Sequence, residues 1–433
     1  MAVICSVRRG AAACAISLGV ILSMGIAHAR DPVRWSAAWA TAMVRSPVPA
    51  SAVRPMAMTA PRLQGQTLRQ MVVLSAGGPR IRIRLANTFG KHPLRIDAAS
   101  VGRLAAGATE GQLDAASLHA LRFDGHAGVV VPPGAVRYSD PLAFPAHGGD
   151  TLGINFYVAG AVAPSTWHVD ALRNNFISTH GDYTGKAVMP VAATTGATLW
   201  LSGVDVQADR PLPVLVALGD SITNGFRSSP GASDGYPEQL ARRLRDMRPA
   251  CHVAVVNAGI DGNEMSDRDG GYGPGEGMAT RFGRDVLGQS GVRFVLLLGG
   301  VNDIGETTMA LRPQGKPLDG KAIAANVIAA QGQIIARAHA AGLRVFGATI
   351  LPFEGTQGAY SEAGERARQA VNDWIRHRAG FDGVVDFDAA LRDPAHPSRM
   401  RPGLNSGDHI HPNDKGYAAM AAAVPASWFG CGS

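Results

Sequence analysis

A serine, an aspartate and a histidine at two distant points of the 433-residue chain could together carry out nucleophilic catalysis. Ser221 follows "VLVALGD", an apolar run that ends in Gly-Asp. A serine hydroxyl is a weak nucleophile unless a neighbouring base accepts its proton. Asp408 and His411 have D-x-x-H spacing, which on a loop lets the carboxylate hold one ring nitrogen while the other faces the serine. We therefore predict a triad of Ser221, His411 and Asp408.

Two further segments could stabilise the oxyanion that forms when a serine attacks an acyl group. Gly262 lies in the turn "GIDGN", where the lack of a side chain allows its backbone N–H to approach a ligand. Asn302, in "GGVND", can supply a side-chain amide. With the N–H of Ser221 itself, these residues predict three hydrogen-bond donors. Asp303 is expected to stabilise its loop rather than to act as an acid.

Other residues offer alternative interpretations of the site. Ser233 in "GASDG" fits the pattern G-x-S-x-G, but that motif needs a strand directly before it, and a polar loop precedes this one. His409 could exchange roles with His411, although the D-x-x-H spacing and the following Pro412 favour His411. The acidic, glycine-rich segment 267–277 suggests calcium binding or a flexible loop bordering the site, and it lacks EF-hand spacing. No HExxH, Walker A or dinucleotide motif is present, so we expect no metal or nucleotide cofactor.

The chain from residue 211 to 433 is predicted to be an α/β domain that positions these residues. Continuous apolar runs predict strands at 214–218, 253–256, 294–298, 344–349 and 384–387. Helical patterns lie between or after them at 237–247, 321–341, 361–377 and 415–424. Such alternation is typical of a parallel sheet covered by helices on both faces, with ligands bound at the carboxyl ends of the strands. Ser221, Gly262 and Asn302 each follow one of these strands.

Residues 30–210 have a different pattern, that of an all-β domain. Short alternating runs punctuated by Gly and Pro predict a β-sandwich or jelly roll. In "PRIRIRLANTFG", Ile81, Ile83 and Leu85 alternate with Arg80, Arg82 and Arg84, the period of a half-buried strand. We expect the arginines to form the solvated face of that strand, although such a row could also bind an acidic ligand.

The first 29 residues are predicted to be a secretory signal peptide. Arg8 and Arg9 precede an apolar segment, and Ala27-His28-Ala29 forms an A-x-A cleavage site. The protein is therefore expected to be exported to the periplasm or the medium, without stable membrane insertion after cleavage. Its formal charge of +7 is scattered along the chain, which gives no indication of nucleic-acid binding.

Two cysteines, Cys251 and Cys431, remain after the predicted signal peptide. In an oxidising compartment they could form a disulfide that ties the C-terminus to the α/β domain. Two free thiols are the alternative that the sequence leaves open.

The chain from Val214 to about Trp428 resembles the SGNH (GDSL) hydrolase superfamily. Its four blocks correspond to "GDSIT", the glycine of "GIDGN", Gly300–Asp303 and Asp408–His411. The resemblance implies a flavodoxin-like three-layer α/β/α domain and a metal-free serine ester hydrolase. The N-terminal segments "WSAAWATA", "TLRQ" and "RIRLANTFG" are similar to the β-rich domain of secreted bacterial two-domain members.

These expectations lead to an exported serine esterase that removes a short acyl group, such as acetyl, from a glycan or small molecule. A lipase, lysophospholipase or broad arylesterase is the enzymatic alternative. A glycan-binding protein with an inactive hydrolase fold is the alternative from another functional class. The acyl and alcohol parts of the substrate, the role of the β-rich domain and the oligomeric state are left open by the sequence.

Overall fold

The computed structural model describes residues 35–108, 111–208, 210, 212–247, 250–267 and 273–431. The predicted signal peptide and residues 268–272 of the glycine-rich segment lie outside the described residues. The described residues belong to one compact unit. The predicted boundary at residues 210 and 211 falls between the last strand of a β-rich region and the first strand of an α/β region, and it stays a prediction.

The β-rich region contains sixteen strands among its described residues. They are β1 (Trp35–Ala40), β2 (Val44–Arg45), β3 (Gln66–Val73), β4 (Gly78–Ala86), β5 (Leu94–Ile96), β6 (Ala98–Arg103), β7 (His119–Ala120), β8 (Val129–Val131), β9 (Val136–Tyr138), β10 (Leu142–Ala146), β11 (Thr151–Val158), β12 (Thr166–His168), β13 (Asn175–His180), β14 (Val191–Thr195), β15 (Thr198–Leu199) and β16 (Leu201–Gln207).

Two antiparallel sheets account for most of these strands. One has the order β1-β16-β4-β10, with β9 also paired to β4, and the other has the order β14-β13-β3-β11-β6-β7. Ile81 and Ile83 of the first sheet and Ile154 and Phe156 of the second are fully buried in the same hydrophobic core. The β-rich, sandwich-like fold predicted for this part of the chain is confirmed.

The arginine face of β4 differs from the expectation of a solvated surface. Arg80 is exposed, but Arg84 is buried and donates hydrogen bonds to the Gly288 carbonyl and to Gln289 Oε1, at 3.1 and 2.9 Å. Arg82 reaches Ser290 Oγ at 3.1 Å. The prediction was wrong for Arg84 because this face of the strand packs against residues 288–290 of the α/β region, whose polar groups take the place of water.

The α/β region contains five parallel strands and eight α-helices among its described residues. The strands are β17 (Val214–Gly219), β18 (Ala254–Gly259), β19 (Val292–Leu298), β20 (Arg344–Ala348) and β21 (Gly383–Val385). The helices are α1 (Ser221–Asn224), α2 (Tyr236–Asp246), α3 (Met278–Phe282), α4 (Val301–Leu311), α5 (Gly320–Ala340), α6 (Glu362–His377), α7 (Phe387–Leu391) and α8 (Asp414–Ala423).

The strand order of this sheet is β18-β17-β19-β20-β21, which is the flavodoxin-like order. β18 and β19 lie on opposite sides of β17, so the chain moves in opposite directions across the sheet to reach them. Because both connections are right-handed, their helices lie on opposite faces of the sheet. Accordingly, α2 packs with α8, while α5 packs with α6 and α3. The predicted three-layer α/β/α fold is confirmed, and every residue of β17 is buried because strands and helices enclose it on all sides.

Local sequence signals explain where several of the helices begin. Ser361 precedes α6, and its hydroxyl accepts a hydrogen bond from the Gly364 N–H at 3.1 Å. Asn413 caps α8 in the same way, through the Gly416 N–H at 3.0 Å. Such side chains satisfy N–H groups that have no partner in the first turn of a helix.

Cys251 and Cys431 form a disulfide that joins residues 180 positions apart, with their Cα atoms 5.5 Å from each other. Cys251 is buried just before β18, so the bond holds the C-terminal end of the chain against the α/β region.

Candidate active site

The carboxyl ends of three neighbouring strands meet at the switch point of the parallel sheet. Gly219 at the end of β17 is in register with Gly259 of β18 and Leu298 of β19. Since β18 and β19 depart from β17 in opposite directions, the segments that follow the strands leave a crevice between them. Ser221, Gly262 and Asn302 lie in those segments and line one pocket together with His411.

Ser221 is the first residue of the short helix α1, at a sharp turn out of β17. A methyl group added to Gly219 would lie 2.0 Å from Thr223 Oγ1 and 2.7 Å from the Leu298 carbonyl, so the turn requires glycine. Asp220 caps the helix by accepting the Ile222 N–H at 2.9 Å. This turn brings the serine hydroxyl to the pocket directly from the centre of the sheet.

Ser221, His411 and Asp408 form a continuous hydrogen-bonded chain. Ser221 Oγ lies 2.8 Å from His411 Nε2, and His411 Nδ1 lies 2.8 Å from Asp408 Oδ2. The other carboxylate oxygen accepts the backbone N–H groups of Ile410 and His411 at 3.1 and 2.9 Å. With Nδ1–H donated to the carboxylate, Nε2 is left to accept the serine proton.

The surroundings of Asp408 favour its ionised form. Burial alone would raise the pKa of Asp408, but hydrogen bonds from the His411 ring and backbone, together with the charge of His411, hold it well below its usual value. Arg227 also donates to Asp408 Oδ2 at 3.3 Å. Phe226 packs edge-on against the His411 ring, with 4.8 Å between the ring centroids. Neither Phe226 nor Arg227 was predicted from sequence, because nothing in the chain order pairs them with residues 408–411.

The predicted oxyanion donors Gly262 and Asn302 line the same pocket as Ser221. Gly262 has a φ of +71°, a conformation that favours glycine, and a methyl group on it would lie 3.0 Å from Glu306 Oε1. Asn302 lies in the first turn of α4, where its Nδ2 donates to the Asn263 carbonyl at 3.0 Å, which fixes the amide plane. Ser221 is the first residue of α1, so its backbone N–H has no acceptor within that helix.

A buried arginine that the sequence analysis did not single out connects these segments. Arg281 of α3 donates to the carbonyl oxygens of Gly219 and Ala258, both at 2.8 Å. It also donates to Asn263 Oδ1 at 2.9 Å and pairs with Asp285 at 3.1 Å. One guanidinium thereby ties the ends of β17 and β18 to Asn263, whose carbonyl holds Asn302.

Two carboxyl groups next to the site have raised pKa values. Burial raises the pKa of Asp220 to about 7, and the charges of Asp303 and Asp261 act in the same direction. Burial likewise raises the pKa of Asp261 to about 7, with Asp170 adding to the effect and an Asn224 hydrogen bond opposing it. Asp303 was predicted to stabilise its own loop, but it lies in α4 and accepts the Met265 N–H at 3.1 Å, which holds the segment after β18 against that helix.

The alternative residues lie elsewhere. Ser233 has a φ of +57°, follows no strand directly and receives a hydrogen bond from Arg173. It lines a separate cleft of about 610 Å³ between the two regions, which Ser221 and His411 do not line. His409 is exposed and lies 3.3 Å from Asn405, not beside Ser221.

The pocket beside Ser221 has a volume of about 260 Å³ and a largely apolar lining. Apolar groups come mainly from α4 and the loops that follow β20 and precede α8: Val301, Gly305, Met309, Ala359 and Ile410. Among the described residues, no group of three or more His, Cys, Asp or Glu side chains is arranged to hold a metal ion. Within the same residues, no helix is both long and apolar enough to cross a membrane.

A comparison with protein families gave a match within the α/β region. Residues 217–419 match the GDSL-like Lipase/Acylhydrolase family. A comparison with curated proteins gave no match.

Similar solved structures include a GDSL-like lipase from Bacteroides thetaiotaomicron VPI-5482, at 16% identity over 49% of this chain and 85% of that chain, with a TM-score of 0.33. An acetyl xylan esterase from Geobacillus stearothermophilus has 20% identity over 48% of this chain and 91% of that chain, with a TM-score of 0.36. An α/β hydrolase enzyme from the metagenome of Lake Arreo, Spain, has 22% identity over 50% of this chain and 95% of that chain, with a TM-score of 0.37. From the family match, residues 217–419 form a domain of the GDSL-like lipase/acylhydrolase family, whose members are hydrolytic esterases.

Proposed function

We propose that the protein hydrolyses carboxylic esters with Ser221 as the nucleophile. Ser221 Oγ attacks the ester carbonyl carbon while its proton passes to His411 Nε2, 2.8 Å away. His411 then donates this proton to the departing alkoxide as the carbon–oxygen bond breaks, which leaves an acyl-enzyme. Water, deprotonated by the same ring, then attacks the acyl carbon. As the bond from that carbon to Ser221 Oγ breaks, His411 returns the proton to Oγ and the acid is released. The hydrogen-bonded Ser221–His411–Asp408 chain is the observation that carries this proposal.

The remaining groups have supporting roles in this reaction. Asp408, held ionised by its hydrogen bonds, keeps Nδ1 protonated and stabilises the imidazolium that forms. The N–H groups of Ser221 and Gly262 and the Asn302 amide stabilise the negative oxygen of the tetrahedral intermediate. Each such donor contributes most when it is preorganised, and Asn302 is already fixed by Asn263.

A short acyl group such as acetyl, removed from a carbohydrate or related small molecule, is the substrate class that we propose. A cavity of about 150 Å³ holds a benzene molecule, so the 260 Å³ pocket has room for about ten non-hydrogen atoms. That space suits a short acyl chain together with the start of the alcohol. The signal-like N-terminus supports a proposed location in the periplasm or the medium.

Activity on lipid esters is a second candidate, favoured by one surface feature. Met56 and Met58 are exposed, at 77% and 37% of their areas. They lie on the segment that carries Arg54, whose guanidinium would be 3.4 Å from a methyl group on Gly262. Exposed apolar side chains beside an active site can contact a lipid surface.

Hydrolysis of p-nitrophenyl esters from acetate to long chains, beside acetylated glycans, tests the proposal. We expect the wild type to prefer acetate and Ser221→Ala to lose hydrolysis by about 10³-fold or more. An undiminished Ser221→Ala rate would reject the mechanism, and a rate that rises with chain length would favour the lipid candidate. Glycan binding without hydrolysis by the wild type would instead indicate a non-catalytic binding protein.

A further inference from the structure

The pocket beside Ser221 has an apolar wall and a polar edge. The apolar wall includes Val301, Met309 and Ala359, and a methyl group on Gly305 would come within 3.3 Å of the Ala359 side chain. The polar edge includes Asp261, directly before Gly262 in the chain. An ester carbonyl at Ser221 carries two substituents, an acyl chain and an alcohol, and the two sides of the pocket differ in the chemistry that they offer.

The Asp261 carboxyl is held in place by a hydrogen-bond network that reaches the β-rich region. Oδ1 accepts from Asn224 Nδ2 at 2.8 Å. Asn224 is in turn held by the Asp170 carbonyl at 2.9 Å and lies 3.1 Å from His168 Nε2. Among the described residues, Oδ2 has no hydrogen-bond partner, so the carboxyl is oriented with one acceptor left for a ligand.

Asp261 and His411 line the same pocket. The departing alkoxide takes its proton from His411, so the alcohol has to be next to that ring. The alcohol of a bound ester therefore lies in the pocket that Asp261 also lines. Arg54 lies near the same turn, since its guanidinium would be 3.4 Å from a methyl group on Gly262. Arg54 forms no ion pair with the described residues, so a second polar group, from the β-rich region, is available at this edge.

We propose that Asp261 determines specificity for the alcohol part of the ester by accepting a hydrogen bond from one of its hydroxyl groups. The preferred substrates are then short-chain esters of polyhydroxylated alcohols, and Arg54 supplies a neighbouring donor to the same alcohol. This inference rests on the proposed ester hydrolysis at Ser221. It assigns a role to one of the two carboxyl groups, Asp261 and Glu306, that line this pocket.

Two acetate esters that differ only in hydroxyl groups test this inference. For the wild type, kcat/KM is measured with propyl acetate and with glycerol monoacetate, and the ratio of the two is the readout. A general loss of activity from a displaced Gly262 affects both esters and cancels in the ratio. The assays are run at about pH 8.5, where Asp261, whose pKa is about 7, is ionised. A hydrogen bond to a charged acceptor discriminates by about tenfold or more, so we expect the wild type to prefer glycerol monoacetate by that factor.

Asp261→Asn should reduce this preference about tenfold, and Asp261→Ala, which removes the acceptor without adding a donor, should do the same. Glu362→Gln removes a carboxylate from an exposed position on α6, 90% exposed, and should leave the ratio unchanged. An unchanged ratio in both Asp261 variants, or no preference in the wild type, would overturn the inference. Failure of the wild type to hydrolyse either ester or p-nitrophenyl acetate would instead reject the proposed function.

Discussion

Replacing Asn302 with alanine removes the side-chain donor that α4 supplies to the proposed oxyanion hole. Loss of one such donor typically lowers kcat by about 10²–10³-fold, which corresponds to about 2.7–4 kcal/mol of transition-state stabilisation. We expect kcat of Asn302→Ala to fall by that factor with p-nitrophenyl acetate, while KM changes little. The reason is that the negative oxygen forms only after Ser221 has attacked.

The same substitution should also destabilise the fold, since Asn302 Nδ2 donates to the Asn263 carbonyl at 3.0 Å. A buried acceptor left without a partner costs about 1–3 kcal/mol. The assay therefore combines kcat and KM with the free energy of unfolding in urea. The two effects are separable because kcat is measured under conditions where the variant is folded.

Asn87→Ala is the matched control. Asn87 is also buried, in the β-rich region, and its amide donates to the carbonyls of His92 and Val131 at 2.9 and 3.0 Å. This variant should lose a similar amount of stability and keep its kcat. A loss in Asn302→Ala that is confined to KM, or is no larger than in Asn87→Ala, would refute the oxyanion role.

Three further predictions concern stability. The pKa of Asp220 is about 7 in the folded state and about 3.9 in the unfolded state, so ionising this carboxyl costs more when the protein is folded. Between pH 5 and pH 8 the free energy of unfolding of the wild type should therefore fall by about 3 kcal/mol more than that of Asp220→Asn. A difference between the two proteins that does not depend on pH would contradict this. The double variant Cys251→Ser, Cys431→Ser lacks the disulfide that joins residues 180 positions apart, and its free energy of unfolding should be about 2–5 kcal/mol lower. Dithiothreitol should lower the Tm of the wild type but not of this variant. Arg281→Met removes the hydrogen bonds from Arg281 to two buried carbonyls and to Asn263 Oδ1, while Asp285 keeps its hydrogen bonds from Arg284. Because each buried acceptor that loses a donor costs about 1–3 kcal/mol, the free energy of unfolding in urea should fall by about 2–5 kcal/mol, and a fall below about 1 kcal/mol would be the contrary result.

Much of the α/β region could be predicted from the sequence because its buried strands read as continuous apolar runs. The run predicted at 214–218 is β17 (Val214–Gly219), and the helix predicted at 361–377 is α6 (Glu362–His377). Helix α4 was missed, since its apolar residues follow "GGVND" without a capping side chain, and its N-cap is Gly300 at a φ of +119°. The arginine face of β4 was misjudged because local alternation does not reveal what packs on a strand.

Order along the chain was sufficient to select Ser221, Gly262, Asn302, Asp408 and His411 as candidates, since each follows a predicted strand or has a spacing suited to proton transfer. Hydrogen-bond geometry, by contrast, depends on distances across the sheet. Residues 190 positions apart in sequence, Ser221 and His411, are 2.8 Å apart.

Sequence by itself determined the class of fold and the types of side chain at the strand ends, because apolar runs and turn residues are local patterns that can be recognised without the structure. Tertiary structure alone decided that Arg281 ties the strand ends together and that Asp261 stands at the polar edge of the pocket. Those roles depend on long-range packing, where a buried charge or an oriented carboxyl acquires its partners only after distant segments have come together.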